Sequence, residues 1–243
     1  MQPIAIVSGE DGMLDFIWNG TKNLPGIHQV LTAFWQLTAD GTLLRCAVAS
    51  LFRVTVGFYC AVLLAVPLGL MLGRRVAFNR WANVAIQFLR PISPLAWIPF
   101  AMLWFGVGDM PALFIIFIAA FFPILLSTIE ASASIHPMYF QVGANLQFSR
   151  LEVFRFIILP VCLPNIVLAL RISLGISWMV VVAAEMIAVR SGLGFLIMDG
   201  RNALRLDYVM VAMIAIGLLG LLLDRLMTGF ERIDALRWNL ERK

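Results

Sequence analysis

The sequence predicts an all-α polytopic membrane protein, and three observations carry that prediction. Of its 243 residues, 61% are hydrophobic and 13% charged, against roughly 45–50% and 25% in a soluble domain. The mean hydropathy is +0.92. The apolar residues gather into runs close to the about 20 residues needed to cross a bilayer, with proline, glycine and arginine between and within them.

The same numbers exclude other classes. The net charge is +4, from 16 Arg and 2 Lys against 14 acids. These charges flank apolar runs, so membrane orientation accounts for them better than nucleic acid does. The two histidines are too few for a His-based metal site. Cys46, Cys60 and Cys162 lie in or beside apolar stretches without CxxC spacing and read as small buried residues. The N-terminus has neither the basic start nor the apolar core of a signal peptide.

Taken in order, residues 1–41 are mixed. Pro25-Gly26 is a break, and Val30, Leu31, Phe34, Trp35 and Leu37 follow at helical spacing. Residues 27–37 therefore form a short amphipathic helix on the bilayer surface, ended by Asp40-Gly41. The first span covers residues 54–72, and its helix reaches back toward Leu43, with Arg45 and Arg53 inside it. The second, 84–105, is interrupted by Pro91, Pro94 and Pro99, which remove backbone donors and bend the helix. Broken helices at membrane depth occur where protein covers them or a cavity borders them. That nominates Ser93 and Trp97 as lining of a translocation path.

The third span is 112–129. A polar segment, 130–160, follows and cannot span. The fourth span is 161–189 and the fifth 209–227. Between them, 190–207 is semi-polar, and its Phe195, Leu196, Ile197 and Met198 are expected at the membrane interface.

Counting basic residues gives the orientation. Arg74, Arg75, Arg80, Arg150, Arg155 and the tail residues Arg232, Arg237, Arg242 and Lys243 fall on one side, which the positive-inside rule makes cytoplasmic. The 130–160 segment and the C-terminus are then cytoplasmic, in a multi-pass membrane protein. Five spans put residues 1–41 outside. Either a further span precedes this chain or the helix from Leu43 inserts by another route.

Within 130–160, Pro137 can start a helix. Met138, Val142, Asn145, Leu146 and Phe148 can then give one or two short amphipathic helices, and a second can run from Arg150 to Ile158. An apolar face outside the membrane calls for a partner; the alternative is an ordinary connecting loop. In the fourth span, Arg171, Trp178 and Glu185 recur every seven residues and share one face. Ionisable groups inside spans usually face the bundle interior or water. Arg171 either stabilises a passing anion or pairs with a carbonyl or an acid such as Glu130. Glu185 would repel an anion, which favours pairing with Arg190 or Arg53. Trp178 either packs or lines. Arg53 fits an internal ion pair or an orientation role.

The run Ser149-Arg150-Leu151-Glu152-Val153-Phe154-(x3)-Ile158-Leu159-Pro160-(x3)-Pro164-Asn165-Ile166-(x3)-Leu170-Arg171-Ile172-(x2)-Gly175-(x2)-Trp178-(x5)-Ala184-Glu185 resembles the permease subunit of binding-protein-dependent ABC importers. Within them it resembles the nitrate/bicarbonate/sulfonate/taurine branch. Leu51-Phe52-Arg53-Val54, Arg90-Pro91-Ile92-(x)-Pro94-Leu95-Ala96-Trp97-Ile98-Pro99, Gly192-Leu193-Gly194-Phe195 and Leu221-Leu222-Leu223-Asp224 match the same branch. The likeness covers about residues 24–238. The family's cytoplasmic loop usually reads Glu-Ala-Ala with Gly four residues later; here those places hold Gln141-Val142-Gly143 and Gln147.

The resemblance implies a type I importer permease fold, usually of six spans, with five visible here. It divides the chain into an extracytoplasmic segment, 1–41, and a transmembrane permease domain, 42–243. It implies ATPase coupling through Gln141, Val142, Gly143, Ala144, Asn145, Leu146, Gln147, Phe148, Ser149 and Arg150. Two permease chains, a homodimer, would work with two ATP-binding subunits that hold ATP and Mg, and with a periplasmic or lipid-anchored substrate-binding protein. This chain has no GxxxxGK[ST] with which to cradle ATP itself, so it is expected to be a transport subunit and not an enzyme.

The expected cargo is a small oxyanion, nitrate or bicarbonate first and then an alkanesulfonate or taurine. An ion-coupled secondary transporter or channel is the alternative, with Glu185 as a proton site. No inverted repeat is visible, and a secondary carrier has no use for a docking helix. An intramembrane enzyme would need clustered acids, Ser/Lys or His in the spans, and the ionisable groups there stand singly.

Overall fold

Among the described residues four helices are long and apolar enough to cross a bilayer, and they form the body of the bundle. The structure, a computed structural model, describes residues 25–74, 88 and 92–231, the side chains of 230 and 231 excepted. The expected basic residues Arg75 and Arg80 and the four of the C-terminal tail lie outside that range.

Helix α1 (Ile27–Ala39) is the amphipathic element. It buries Ala33 and Leu37 and leaves Ile27, Leu31 and Trp35 exposed. Gly41, at φ 67°, turns the chain into α2 (Thr42–Leu72). This helix begins well before the apolar run at 54, so Arg45 and Arg53 are helical residues as expected.

The proline-rich region behaves differently from a simple span. Ser93 is extended, Pro94–Trp97 is a 3₁₀ turn, and α3 is Ile98–Phe105. Together Pro94–Phe105 is an apolar helix too short to cross. Residues 84–91 of that expected span lie outside the described residues.

Helix α4 (Asp109–Ala133) is central and packs between α2 and α7 (Leu159–Ala188). Small residues set that closeness. A Cβ on Gly57 would lie 2.8 Å from Ile116 Cγ2, and one on Gly69 would lie 2.6 Å from Thr128 Cβ. Without lipid-versus-water gain between spans, such close backbone approach is what dispersion can use. Ser132 adds a hydrogen bond across the same seam, to the Leu70 carbonyl at 3.3 Å.

Beyond α4 come α5 (Pro137–Asn145) and α6 (Arg150–Val153). A π-helical turn, Phe154–Ile158, joins α6 directly to α7. At the other end of α7, residues 189–192 turn the chain into α8 (Leu193–Asn202), and α9 (Leu206–Glu231) closes the bundle.

Leu193 and Leu196 of α8 are buried in the main core, so this helix is tucked under the bundle end and only partly presents its 195–198 stretch outward. The expectation of an interfacial resting place for all four residues is corrected there: the chain reversal at Gly192 aims Leu196 inward.

Candidate functional site

The most polar place in the bundle is a clasp at the α3 end. Arg53, 3% exposed, and Glu185, fully buried, pair at 2.6 Å between Arg53 Nη1 and Glu185 Oε1. Glu185 Oε2 accepts from Ser50 Oγ at 2.8 Å and from the Gly194 N–H at 3.0 Å. Ser50 Oγ in turn accepts from the Leu193 N–H at 2.9 Å.

Arg53 spends its remaining donors nearby. Nε donates to Asp109 Oδ1 at 2.8 Å, and Nη1 donates to the Ser191 carbonyl at 2.9 Å. Nη2 reaches Asp109 Oδ1 at 2.7 Å and also the Ser191 hydroxyl. One side chain from α2 thus ties down the start of α4, the end of α7 and the turn before α8. The Gly108 N–H bonds the Ala188 carbonyl at 3.3 Å beside it.

Backbone geometry makes room for this. Gly192 has φ 104°, a conformation that glycine adopts at no steric cost. A Cβ there would strike the Glu185 carboxylate, and one on Gly194 would strike the Val182 carbonyl. The bare first turn of α8 can therefore rest on Glu185, which meets two needs of a helix N-terminus: partners for its free N–H groups and a negative charge.

Arg171 and Trp178 face elsewhere. Arg171 forms a two-bonded pair with Asp224 of α9, Nε to Oδ1 at 3.0 Å and Nη2 to Oδ2 at 3.3 Å. Trp178 is buried and donates its indole N–H to the Ile216 carbonyl of α9 at 3.1 Å. Seven residues are a little short of two helical turns, so a heptad stripe drifts about 20° per repeat. Arg171 and Trp178 meet α9, and Glu185 meets α2 and α8 instead. Among the described residues Arg171 pairs with the acid Asp224, in place of Glu130.

A third region is a groove between α4 and α7, bordered by the segment before α3. One cavity of about 420 Å³ is lined by Ile92, Pro94, Phe122, Pro123, Ser127, Glu130, Ile172 and Ile176 among others. An adjoining one of about 310 Å³ shares Ser127, Glu130 and Ile172 and adds Ser134, Asn165 and Leu168. Ser93 is flanked by Ile92 and Pro94 at this edge. Trp97 packs into a neighbouring cluster with Ile98, Ala101, Ile115, Ala119 and Val180.

The groove gathers residues that spacing could have found. Ser127, Glu130 and Ser134 recur at i, i+3 and i+7, a polar stripe on an otherwise apolar helix. The sequence alone suggests Glu130 as an acid within reach of Arg171; its place in the groove follows from the phase it shares with Ser127 and Ser134.

The fourth region is α5 with its exit turn. His136 caps α5, accepting from the Met138 N–H at 3.2 Å. Gln147 ends the element at φ 56°, the left-handed conformation, and Phe148 N–H closes the turn on the Gly143 carbonyl at 2.9 Å. Ser149 and Glu152 then form a capping box: Ser149 N–H to Glu152 Oε2 at 2.7 Å, and Glu152 N–H to Ser149 Oγ at 3.4 Å. Gly143 is buried against Ile157, and a Cβ there would lie 2.8 Å from Ile157 Cδ1.

On an adjoining face, Met138, Val142 and Leu146 stand exposed at i, i+4 and i+8. Arg74, at the end of α2, places its guanidinium 3.9 Å from the Phe140 ring centroid and ties α5 to the bundle.

Comparison with known proteins then fixes the family. Residues 65–233 match the family described as binding-protein-dependent transport system inner membrane component. The chain is 33% identical over 214 residues to the taurine transport system permease protein of Escherichia coli, covering 86% of this chain and 78% of that protein. It is 35% identical over 230 residues to the nitrate import permease protein of Leptolyngbya laminosa, covering 94% and 76%.

Among solved structures, the inward-facing MetNI methionine ABC transporter superposes with a TM-score of 0.61 at 18% identity, over 77% of this chain and 95% of that one, a likeness of fold. With four bilayer-length helices, that fold and these relatives, the chain belongs to the inner-membrane components of binding-protein-dependent transport systems, as the permease subunit of an ABC importer.

Proposed function

We propose that this permease moves a small solute bearing an oxyanion group through the α4–α7 groove, and that ATP hydrolysis on partner subunits drives it through α5 and the turn to α6. The observation that carries this reading is the construction of α5. A nine-residue helix outside the bilayer-length helices is held rigidly from behind by Gly143, Ile157 and Arg74. Yet among the described residues nothing covers its apolar stripe Met138, Val142 and Leu146. An apolar face that is buttressed and uncovered suits a docking surface.

In this reading the α5 end is cytoplasmic, as is the C-terminus, and the Arg53–Glu185 clasp lies at the outer end. Two copies form a homodimer across the groove, two ATP-binding subunits with ATP and Mg dock on the two α5 elements, and a binding protein delivers cargo to the outer mouth. The low burial of the spans supports contact with lipid and with a second copy: 11% of the α9 window is buried within one chain. The named cargoes of the two relatives, taurine and nitrate, both carry a compact oxyanion, as does bicarbonate, which the sequence reading ranked with nitrate.

The test is uptake by proteoliposomes containing the permease, its ATPases and its binding protein. Transport should require ATP, and removing residues 141–150 should leave ATP hydrolysis running without uptake. Transport by the purified permease alone on an ion gradient would defeat the importer reading. Thermal shift of the binding protein against nitrate, bicarbonate, taurine and alkanesulfonates ranks the cargo.

A further inference from the structure

The charge of the groove narrows the cargo. The two adjoining cavities total the size of an ordinary small-molecule site. Their walls are largely apolar, with Ser127, Ser134 and Asn165 as neutral polar groups. The one ionisable residue shared by both is Glu130. Among the described residues no basic side chain lines either cavity. Arg171 turns to Asp224 on the far side of α7, Arg53 is held in the clasp, and Arg74 lies over Phe140.

A bare oxyanion entering this groove meets the acid Glu130, and among the described residues no lining cation offsets it. A solute with an ammonium group as well as an acid meets a partner. The ammonium can make a charge-assisted hydrogen bond to Glu130. The hydroxyls of Ser127 and Ser134 and the amide of Asn165 can donate to the oxyanion end.

Resting on the reading of this groove as the path, we propose that Glu130 is a specificity-determining residue that selects an amphoteric cargo, an aminosulfonate or similar amino acid, over a bare oxyanion. This reverses the order in which the sequence alone ranks the cargoes.

The experiment uses the complete importer in proteoliposomes with its binding protein, and compares uptake of 2-aminoethanesulfonate, ethanesulfonate and nitrate at saturating concentrations. The wild type should favour the aminosulfonate. Glu130→Gln should lower the ratio of aminosulfonate to ethanesulfonate uptake by roughly tenfold, the scale of one hydrogen bond to a charged group. Glu130→Asp, which keeps the charge, should restore most of that ratio. Assembly with the ATPases, followed by size-exclusion chromatography, confirms that each variant folds.

A ratio unchanged in Glu130→Gln would overturn the proposal, as would a wild-type importer or a binding protein that takes nitrate and refuses the aminosulfonate. Uptake by the wild type without ATP would instead fail the importer reading on which the proposal rests.

Discussion

Glu185 Oε1 and Arg53 Nη1 lie 2.6 Å apart, in a place where the first residue is fully buried and the second is 3% exposed. They stand 132 positions apart in the chain, so the pair is a long-range tie made at the end of two different spans. Its surroundings satisfy nearly every donor and acceptor the two groups own, which is the condition under which a buried pair is tolerated.

Breaking that pair from one side leaves an uncompensated charge. Arg53→Met or Glu185→Leu should each lower stability by about 3–5 kcal/mol. The double variant should lose less than the sum of the two. Thermal unfolding of the detergent-solubilised protein measures all three, and strict additivity would show that the pair is not coupled.

The clasp also depends on missing side chains. Gly194→Ala forces a methyl onto the Val182 carbonyl and should cost about 1–3 kcal/mol, as overpacking does. Gly192→Ala adds the strain of a positive φ to a collision with Glu185. Folded yield after membrane extraction should fall in the order wild type, Gly194→Ala, Gly192→Ala.

At the other end, Gln147 holds a left-handed conformation that costs an L side chain about 1–2 kcal/mol. Gln147→Gly should therefore raise the thermal midpoint slightly. Ser149→Ala removes a cap worth about 1 kcal/mol and should loosen the same turn. Read by uptake per ATP hydrolysed, the glycine variant should match or exceed wild type and the alanine variant should fall below it.

Trp178 is the largest side chain buried in the seam between α7 and α9. Trp178→Ala opens a cavity and removes the indole bond to the Ile216 carbonyl, at a cost of about 3–5 kcal/mol. Gly220→Val should act similarly, because even a Cβ at 220 would lie 2.8 Å from Trp178 Nε1. The exposed Arg171–Asp224 pair is a contrast: a double-mutant cycle on it should return no more than about 1 kcal/mol.

The sequence carried the class of fold and the bounds of most helices, because apolar runs, prolines and glycines act locally. The α1 helix, the early start of α2 and the α5 element were all legible in that way. Partner choice was not. Asp109 and Asp224 stand 56 and 53 positions from the arginines they meet, and nothing local marks them as partners. The proline-rich segment was legible as a broken helix: Pro94 opens a 3₁₀ turn and Pro99 stands at the start of α3, as the interruption by prolines predicts. Glu130 was visible in the helical phase of Ser127, Glu130 and Ser134, a pattern that single-residue weighing passes over.

The direct junction of α6, the π turn and α7 has a mechanical meaning. Arg150–Ala188 is one uninterrupted rod of 39 residues, about 58 Å long at 1.5 Å per residue. Its far tip is pinned by the Arg53–Glu185 tie, and its near tip starts at the Ser149 cap. Pro160 and Pro164, with the π turn, place its soft joint within the first half of its length. In the proposed coupling, a push at Ser149 would tilt the arm beyond that joint, and the α4–α7 groove lies along it.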